Sequence, residues 1–223
     1  MFEQLAAHIA SRVQNGDVLG LGTGRTAEAA IAAIGDRIAK EALKVSGMAT
    51  SDRAAQVARQ AGITLIDPLS DTPLTWAFDG ADEVDPQLVL IKGGGGALLR
   101  EKMVATRAGG LVVIVTEEKL VKRLGERFAL PIEVVPEAVG FVREKLKTLG
   151  ATEIVLRVQK NSPAPFLTDH GNVILDTRFS NLTAKLDPQI KALTGVVDHG
   201  LFVGLANEVI VAKETGLVQL TAR

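Results

Sequence analysis

The sequence predicts an α/β protein of two closely joined modules: a parallel sheet covered by helices on both faces, then a smaller α+β module. Three observations lead there. Over roughly the first 115 residues, short apolar runs alternate with stretches of helical period, the pattern of βα units. After Arg127 the order becomes β-α-β-β-α-β, the split βαβ of ferredoxin-like domains. The 223 residues are 47% hydrophobic and 23% charged, enough to build such cores without disulfide staples.

The elements follow in order. Leu5, Ala6, Ile9 and Val13 share one stripe and predict a helix over 2–13, which Asn15-Gly16 stops. Asp17–Leu21 reads as a buried strand, and Gly22-Thr23-Gly24-Arg25-Thr26 turns into a helix over 27–39. Leu43–Val45 is the next strand, and Thr50-Ser51-Asp52 is an N-cap cluster opening a helix through Arg59. Ile63–Leu65, Thr75–Phe78, Leu88–Ile91 and Leu111–Val115 read as further strands of the same sheet. In the second module, strands are expected at 132–135, 153–158, 173–176 and 196–198, with helices over 137–149 and 186–193. Strands at 209–211 and 217–220 return to the first sheet, so residues 1–128 and 200–223 are expected to form one module and 129–199 the other.

Composition excludes several classes. With 25 basic and 26 acidic residues the net charge is −1, which leaves no basic excess to neutralise the phosphates of a nucleic acid. No cysteine is present, so disulfides, thiol catalysis and cysteine metal sites are out, and a reducing cytoplasm fits. The longest apolar runs fall far short of the ~20 residues of a membrane helix. The acidic start Met1-Phe2-Glu3-Gln4 does not read as a signal peptide.

Four stretches look unlike core. Gly20-Leu21-Gly22-Thr23-Gly24-Arg25-Thr26 joins a strand to a helix, where bare N–H groups and the dipole end favour an anion. It fits G-x-G-x-x-A through Gly22, Gly24 and Ala27, yet no acidic residue stands ~20 positions on to hold a ribose. The hydroxyls of Thr23 and Thr26 suit a terminal phosphate better. Asp79-Gly80-Ala81-Asp82-Glu83 follows the 75–78 strand, beyond whose carboxyl end ligands bind in open parallel sheets. Gly80 and Ala81 leave room for a substrate between Asp79 and Asp82; an acidic solvated turn is the bland alternative.

Lys92-Gly93-Gly94-Gly95-Gly96 separates a strand from a helix. Four glycines in a row are entropically costly for a mere connector, and Lys before them excludes a P-loop. A lysine beside bare N–H groups suits an oxyanion or a sugar hydroxyl. Glu101, in the helix that follows, falls in the middle of the apolar arc of Ala97, Leu98, Val104, Ala105 and Ala108. A carboxylate on a buried face is expensive unless paired or used, and partial desolvation raises its pKa towards that of a general base. A Glu stabilised by the dipole of the first turn is the alternative. Thr116-Glu117-Glu118-Lys119 places a lysine at another strand end, where it completes a phosphate site or is solvated. His8, His170 and His199 show no metal-binding spacing, and no serine nucleophile motif is present.

Together, G-x-G-T-G-x-T, D-G-A-D-E, K-G-G-G-G-A-L-L-R-E-K and E-E-K stand in the order and spacing of the type A ribose-5-phosphate isomerases, and the resemblance runs along essentially the whole chain. It implies a Rossmann-like domain plus a small ferredoxin-like domain, in a homodimer or homotetramer. It also implies that Glu101 transfers the proton, that Asp79 assists furanose ring opening, and that Asp82 and Lys92 hold and stabilise the enediolate. Gly80, Ala81, Gly93, Gly94 and Gly95 would line the substrate, and Thr23, Gly24, Arg25, Thr26 and Lys119 would bind it, notably its phosphate. The implied substrate is a small sugar phosphate, with no cofactor, no metal, no nucleic acid and no membrane. Arg25 departs from the serine common in the family, adding a charge that either strengthens phosphate binding or faces solvent. Rival readings are an amino-sugar-phosphate deaminase, a CoA transferase using Glu101 as acyl acceptor, and a non-catalytic sugar-phosphate sensor. The sensor would normally carry a basic DNA-binding segment, and none precedes Gly16.

Overall fold

A computed structural model describes residues 1–221. In chain order its strands are β1 (Val18–Leu21), β2 (Ser46–Ala49), β3 (Thr64–Leu65), β4 (Trp76–Asp79), β5 (Glu83–Val84), β6 (Leu90–Ile91), β7 (Leu111–Thr116), β8 (Leu130–Val134), β9 (Ala151–Leu156), β10 (Val173–Phe179), β11 (Val196–His199), β12 (Leu201–Phe202), β13 (Ala206–Lys213) and β14 (Gly216–Thr221). The α-helices are α1 (Phe2–Arg12), α2 (Arg25–Glu41), α3 (Asp52–Gln60), α4 (Leu98–Arg107), α5 (Val139–Thr148) and α6 (Leu186–Lys191). The chain divides into two compact units, one of Met1–Ala81, Arg100–Lys119 and Gly204–Arg223, the other of Asp82–Leu99 and Leu120–Val203.

The first unit is built on a seven-stranded sheet in the order β14-β13-β7-β4-β1-β2-β3. From β13 to β3 every neighbour is parallel, and β14 closes the edge as an antiparallel hairpin. All six residues of β7 are buried, as its uninterrupted apolar sequence requires of a strand covered on both faces. Leu5 and Ile9 of α1, Ile31 and Ile34 of α2 and Ala54 and Ala58 of α3 pack on one face against Leu19, Leu21, Phe78 and Ile114. Alternation along β1 turns Gly20 to the other face, where a Cβ would come within 2.5 Å of Val104 of α4. Helix α4 therefore covers that second face. The Arg37 guanidinium donates to the carbonyls of Ala10 and Val13 at 2.5 and 2.9 Å, satisfying acceptors at the end of α1. Ser51 caps α3, its hydroxyl accepting the Ala54 N–H at 3.0 Å.

The second unit holds a four-stranded antiparallel sheet in the order β11-β8-β10-β9. With α5 between β8 and β9 and α6 between β10 and β11, this is the ferredoxin-like arrangement expected from the order of elements. Ile132, Val134, Val173 and Leu175 face Val142 and Leu146 of α5 and Ile190 of α6, which gives the unit its own core. Alternation turns Pro131, Glu133, Ile174 and Asp176 to the opposite face. A separate three-stranded sheet, β12-β6-β5, completes the unit. No described helix is long and apolar enough to cross a membrane.

Three expectations need correction. The second strand is Ser46–Ala49, not 43–45, because Ser-Gly-Met-Ala lacks the branched residues that mark strands in sequence. The apolar run 88–91 does not join the parallel sheet: β6 pairs antiparallel with β5 and β12. Both of those two-residue strands are too short for periodicity to reveal. As a consequence residues 82–99, 120–128 and 200–203 group with the second unit, where the sequence had placed them in the first.

Candidate active site

In the first unit the candidate residues collect at the carboxyl edge of the parallel sheet. The register pairs Leu21 with Phe78, which sets Gly22 beside Asp79 at the ends of β1 and β4. A Cβ on Gly22 would overlap the Asp79 backbone, with Cα at 2.6 Å, so glycine lets these two strand ends close up. The buried Asp79 carboxylate accepts two N–H groups through Oδ1, from Thr23 at 3.0 Å and Gly80 at 2.8 Å. Those bonds fix its plane at the mouth of the glycine turn.

The Thr23 hydroxyl meets those of Thr50 at 2.6 Å and Ser51 at 2.8 Å, beyond the end of β2. Sequence reasoning took Thr50 and Ser51 only as a helix cap; their part in holding Thr23 depends on β1 and β2 being neighbours. Gly24 sits at φ 100 as the N-cap of α2, so Arg25 and Thr26 open the helix with their N–H groups at its positive end. The exposed Arg25 guanidinium stacks 5.4 Å from the ring of Phe2. Lys119 ends the short 3₁₀ turn after β7, at the same carboxyl edge.

Glu101 is 6% exposed, as its place in the apolar arc of α4 predicts. Val104, one turn later on that arc, covers Gly20 in the middle of β1. A helix that leads into a parallel strand runs antiparallel to the sheet, so Glu101 lies nearer the carboxyl edge than Val104 does. That is the edge carrying Asp79 and the Thr23–Thr26 turn.

In the second unit, Asp82 and Lys92 flank one end of the β5–β6 pair, where the Asp82 N–H donates to the Ile91 carbonyl at 2.8 Å. Lys92 is 3% exposed, with Nζ 5.6 Å above the ring of Phe202. Its N–H donates to the Gly200 carbonyl at 2.9 Å. The Asp82 carboxylate accepts the Gly94 N–H at 2.8 Å, which ties the acidic motif to the glycine loop. Gly93 and Gly96 hold φ values of 93 and 86, a region that side chains resist, and a Cβ on Gly96 would come within 2.5 Å of the Phe166 ring. Gly94 and Gly95 are exposed, and nothing lies within 4 Å of where a Gly95 Cβ would be.

Along the chain the two sets are continuous. Asp79 and Asp82 are three residues apart, and the glycine loop runs directly into α4, which carries Glu101. The first unit offers the buried carboxylates of Asp79 and Glu101, and the second offers the buried Lys92 ammonium, Asp82 and a row of backbone donors. Buried carboxylates are equipment for moving protons, and an ammonium beside bare N–H groups is equipment for stabilising an oxyanion. Among the described residues no group of three His, Cys, Asp or Glu side chains is arranged to hold a metal.

Glu83 was not singled out by the sequence, and the structure gives it a defined task. It is 0% exposed, and its carboxylate accepts the N–H groups of Gly125, Arg127 and Phe128, each at 2.6 Å. The Phe128 ring in turn abuts Gly94, reaching within 3.0 Å of where its Cβ would be. Glu83→Ala would leave three donors unsatisfied and is expected to cost about 3–5 kcal/mol in a denaturant unfolding series. A loss below ~1 kcal/mol would contradict this anchoring role.

The profile of the ribose 5-phosphate isomerase A (phosphoriboisomerase A) family matches residues 46–216. The chain is 47% identical over 218 residues to the ribose-5-phosphate isomerase A of Thermomicrobium roseum, covering 96% of this chain and 91% of that protein. The structure of ribose 5-phosphate isomerase A from Methanocaldococcus jannaschii superposes with a TM-score of 0.94 at 40% identity, covering 99% and 97% of the two chains. A D-ribose-5-phosphate isomerase solved in complex with phospho-erythronic acid superposes with a TM-score of 0.93 at 34% identity, again covering 99% and 97%.

Proposed function

The chain belongs to the ribose 5-phosphate isomerase A family, and from that premise we propose how its residues divide the work of interconverting ribose 5-phosphate and ribulose 5-phosphate. The reaction moves a carbonyl between C1 and C2. It needs a base that takes the C2 proton and returns it to C1 on the same face, support for the negative oxygens of the enediolate, and an acid–base group to open the furanose.

Glu101 is the base. The observation that carries this assignment is a carboxylate 6% exposed in the apolar face of α4, on the turn nearest the carboxyl edge of the sheet. Glu101 takes the proton from C2, and the electrons move towards O1 as the enediolate forms. Reprotonation at C1 by the same carboxyl, with the O2 proton passing to O1, yields the ketose. Asp79, its plane fixed by the Thr23 and Gly80 N–H groups, exchanges a proton with the ring and anomeric oxygens as the furanose opens. The Lys92 ammonium and the N–H groups of the Gly93–Gly95 loop carry the developing charge, and Asp82 holds that loop through Gly94. The Thr23–Thr26 turn and Lys119 take the phosphate, an anion suited to the positive end of a 17-residue helix.

Lys119→Ala tests the phosphate assignment. It is expected to raise KM for ribose 5-phosphate about tenfold with little change in kcat, the signature of lost uniform binding. A fall in kcat with KM unchanged would move Lys119 out of the phosphate site. The cytoplasm and a homodimer or homotetramer are part of the same reading. The exposed apolar side chains Val155, Val158 and Leu167 support an assembly, and sedimentation velocity at micromolar concentration tests it.

A further inference from the structure

We propose that Arg157, paired with Asp176, is the positioning residue that aims the backbone donors of the glycine loop; the proposal rests on the role given above to that loop. Arg157 follows β9 directly, on a rung where its N–H donates to the Ile174 carbonyl at 2.9 Å and its carbonyl accepts the Phe166 N–H at 2.9 Å. Its side chain is 14% exposed and lies over the Phe166 ring, with Cζ 5.9 Å from the centroid. Nε and Nη2 donate to the two oxygens of Asp176 at 2.9 and 2.5 Å, a bidentate pair that fixes the guanidinium plane. Nη1 is left pointing at the loop, where it donates to the carbonyls of both Gly93 and Gly94 at 3.1 Å.

The consequence follows from the planarity of the peptide. No cis bond is present among the described residues, so each C=O directed at Arg157 sends the N–H of the next residue the opposite way. The Gly93 carbonyl faces the guanidinium, and the Gly94 N–H accordingly reaches Asp82 on the other side at 2.8 Å. The Gly94 carbonyl faces the guanidinium too, so the Gly95 N–H is presented away from it, with open space around Gly95. One side chain thus orients two consecutive peptide groups that glycine alone would leave loose. Lysine could not replace it, because a single ammonium cannot hold two carbonyls and keep a fixed two-point contact with Asp176.

The test uses Arg157→Gln, Arg157→Lys and Asp176→Asn in the full chain. Arg157→Gln is expected to lower kcat about 10- to 100-fold, the scale of a misplaced oxyanion donor. Its affinity for phospho-erythronic acid should fall in step, while the affinity for inorganic phosphate stays within about twofold, since the side-chain bonds of Arg157 go to Gly93, Gly94 and Asp176 and not to the residues assigned to the phosphate. Arg157→Lys and Asp176→Asn should fall between wild type and Arg157→Gln, and they carry the test if Arg157→Gln does not fold. Amide exchange of Gly94 and Gly96, followed by NMR without ligand, should quicken about tenfold in the same variants. A folded variant at either position with wild-type kcat and wild-type exchange overturns the proposal. So does a loss of kcat matched by an equal loss of inorganic phosphate affinity. The exchange measurement does not depend on turnover, so it separates failure of this role from failure of the catalytic assignments, which Glu101→Gln tests alone.

Discussion

Replacing Glu101 with Gln is expected to lower kcat about 10³- to 10⁴-fold, with KM for ribose 5-phosphate and the melting temperature nearly unchanged. The amide has the shape and hydrogen-bonding reach of the carboxylate and cannot accept the C2 proton. Burial on the apolar face of α4 makes the variant informative, because removing a charge from a site 6% exposed relieves desolvation and does not open a cavity. Binding and folding should therefore survive while proton transfer is lost. Exchange of the substrate proton with solvent should vanish together with net turnover, since both pass through the same abstraction. Retained exchange with lost turnover would leave Glu101 outside the first step and make another group the base.

Lys92→Met is expected to lower kcat about 10²- to 10³-fold, roughly 3–4 kcal/mol of transition-state stabilisation. Lys92 is 3% exposed, and its backbone is held by Gly200, so the charge is delivered from a fixed position. Charge that develops on the enediolate oxygens is stabilised more by such a preorganised ammonium than by mobile solvent. Met preserves the length and packing of the stem against Phe202, which separates the loss of charge from the loss of contact. Affinity for phospho-erythronic acid should fall with kcat, whereas affinity for inorganic phosphate should hold. Equal loss of both would make Lys92 a general anion site and leave the enediolate without its cation.

The legibility of this protein in its sequence follows physical lines. Glu101 was readable because a helical period of ~3.6 residues places a carboxylate among apolar neighbours, a local pattern. The carboxyl ends of β1 and β4 were readable because apolar runs end in glycine or aspartate, and there the structure joins Thr23 to Asp79. Glu83 and Arg157 were not readable. Their partners are backbone groups more than 40 residues away, Gly125, Arg127 and Phe128 for one and Gly93 and Gly94 for the other, and a backbone partner leaves no trace in residue type. The three-stranded sheet was hidden for a different reason, since two-residue strands such as β5 and β12 carry no period at all. The misplacement of 82–99 follows from that, because β5–β6 pairing is what draws the segment into the second unit.

Central to this account is proton transfer by Glu101 between adjacent carbons through an enediolate. Proton NMR of the protein with ribose 5-phosphate in D2O, with no metal or cofactor added, tests it most directly. The account predicts that ribulose 5-phosphate appears with deuterium at C1, that deuterium enters C2 of ribose 5-phosphate as the mixture equilibrates, and that Glu101→Gln loses both signals. Conversion or deuterium entry in Glu101→Gln at the wild-type rate would contradict it.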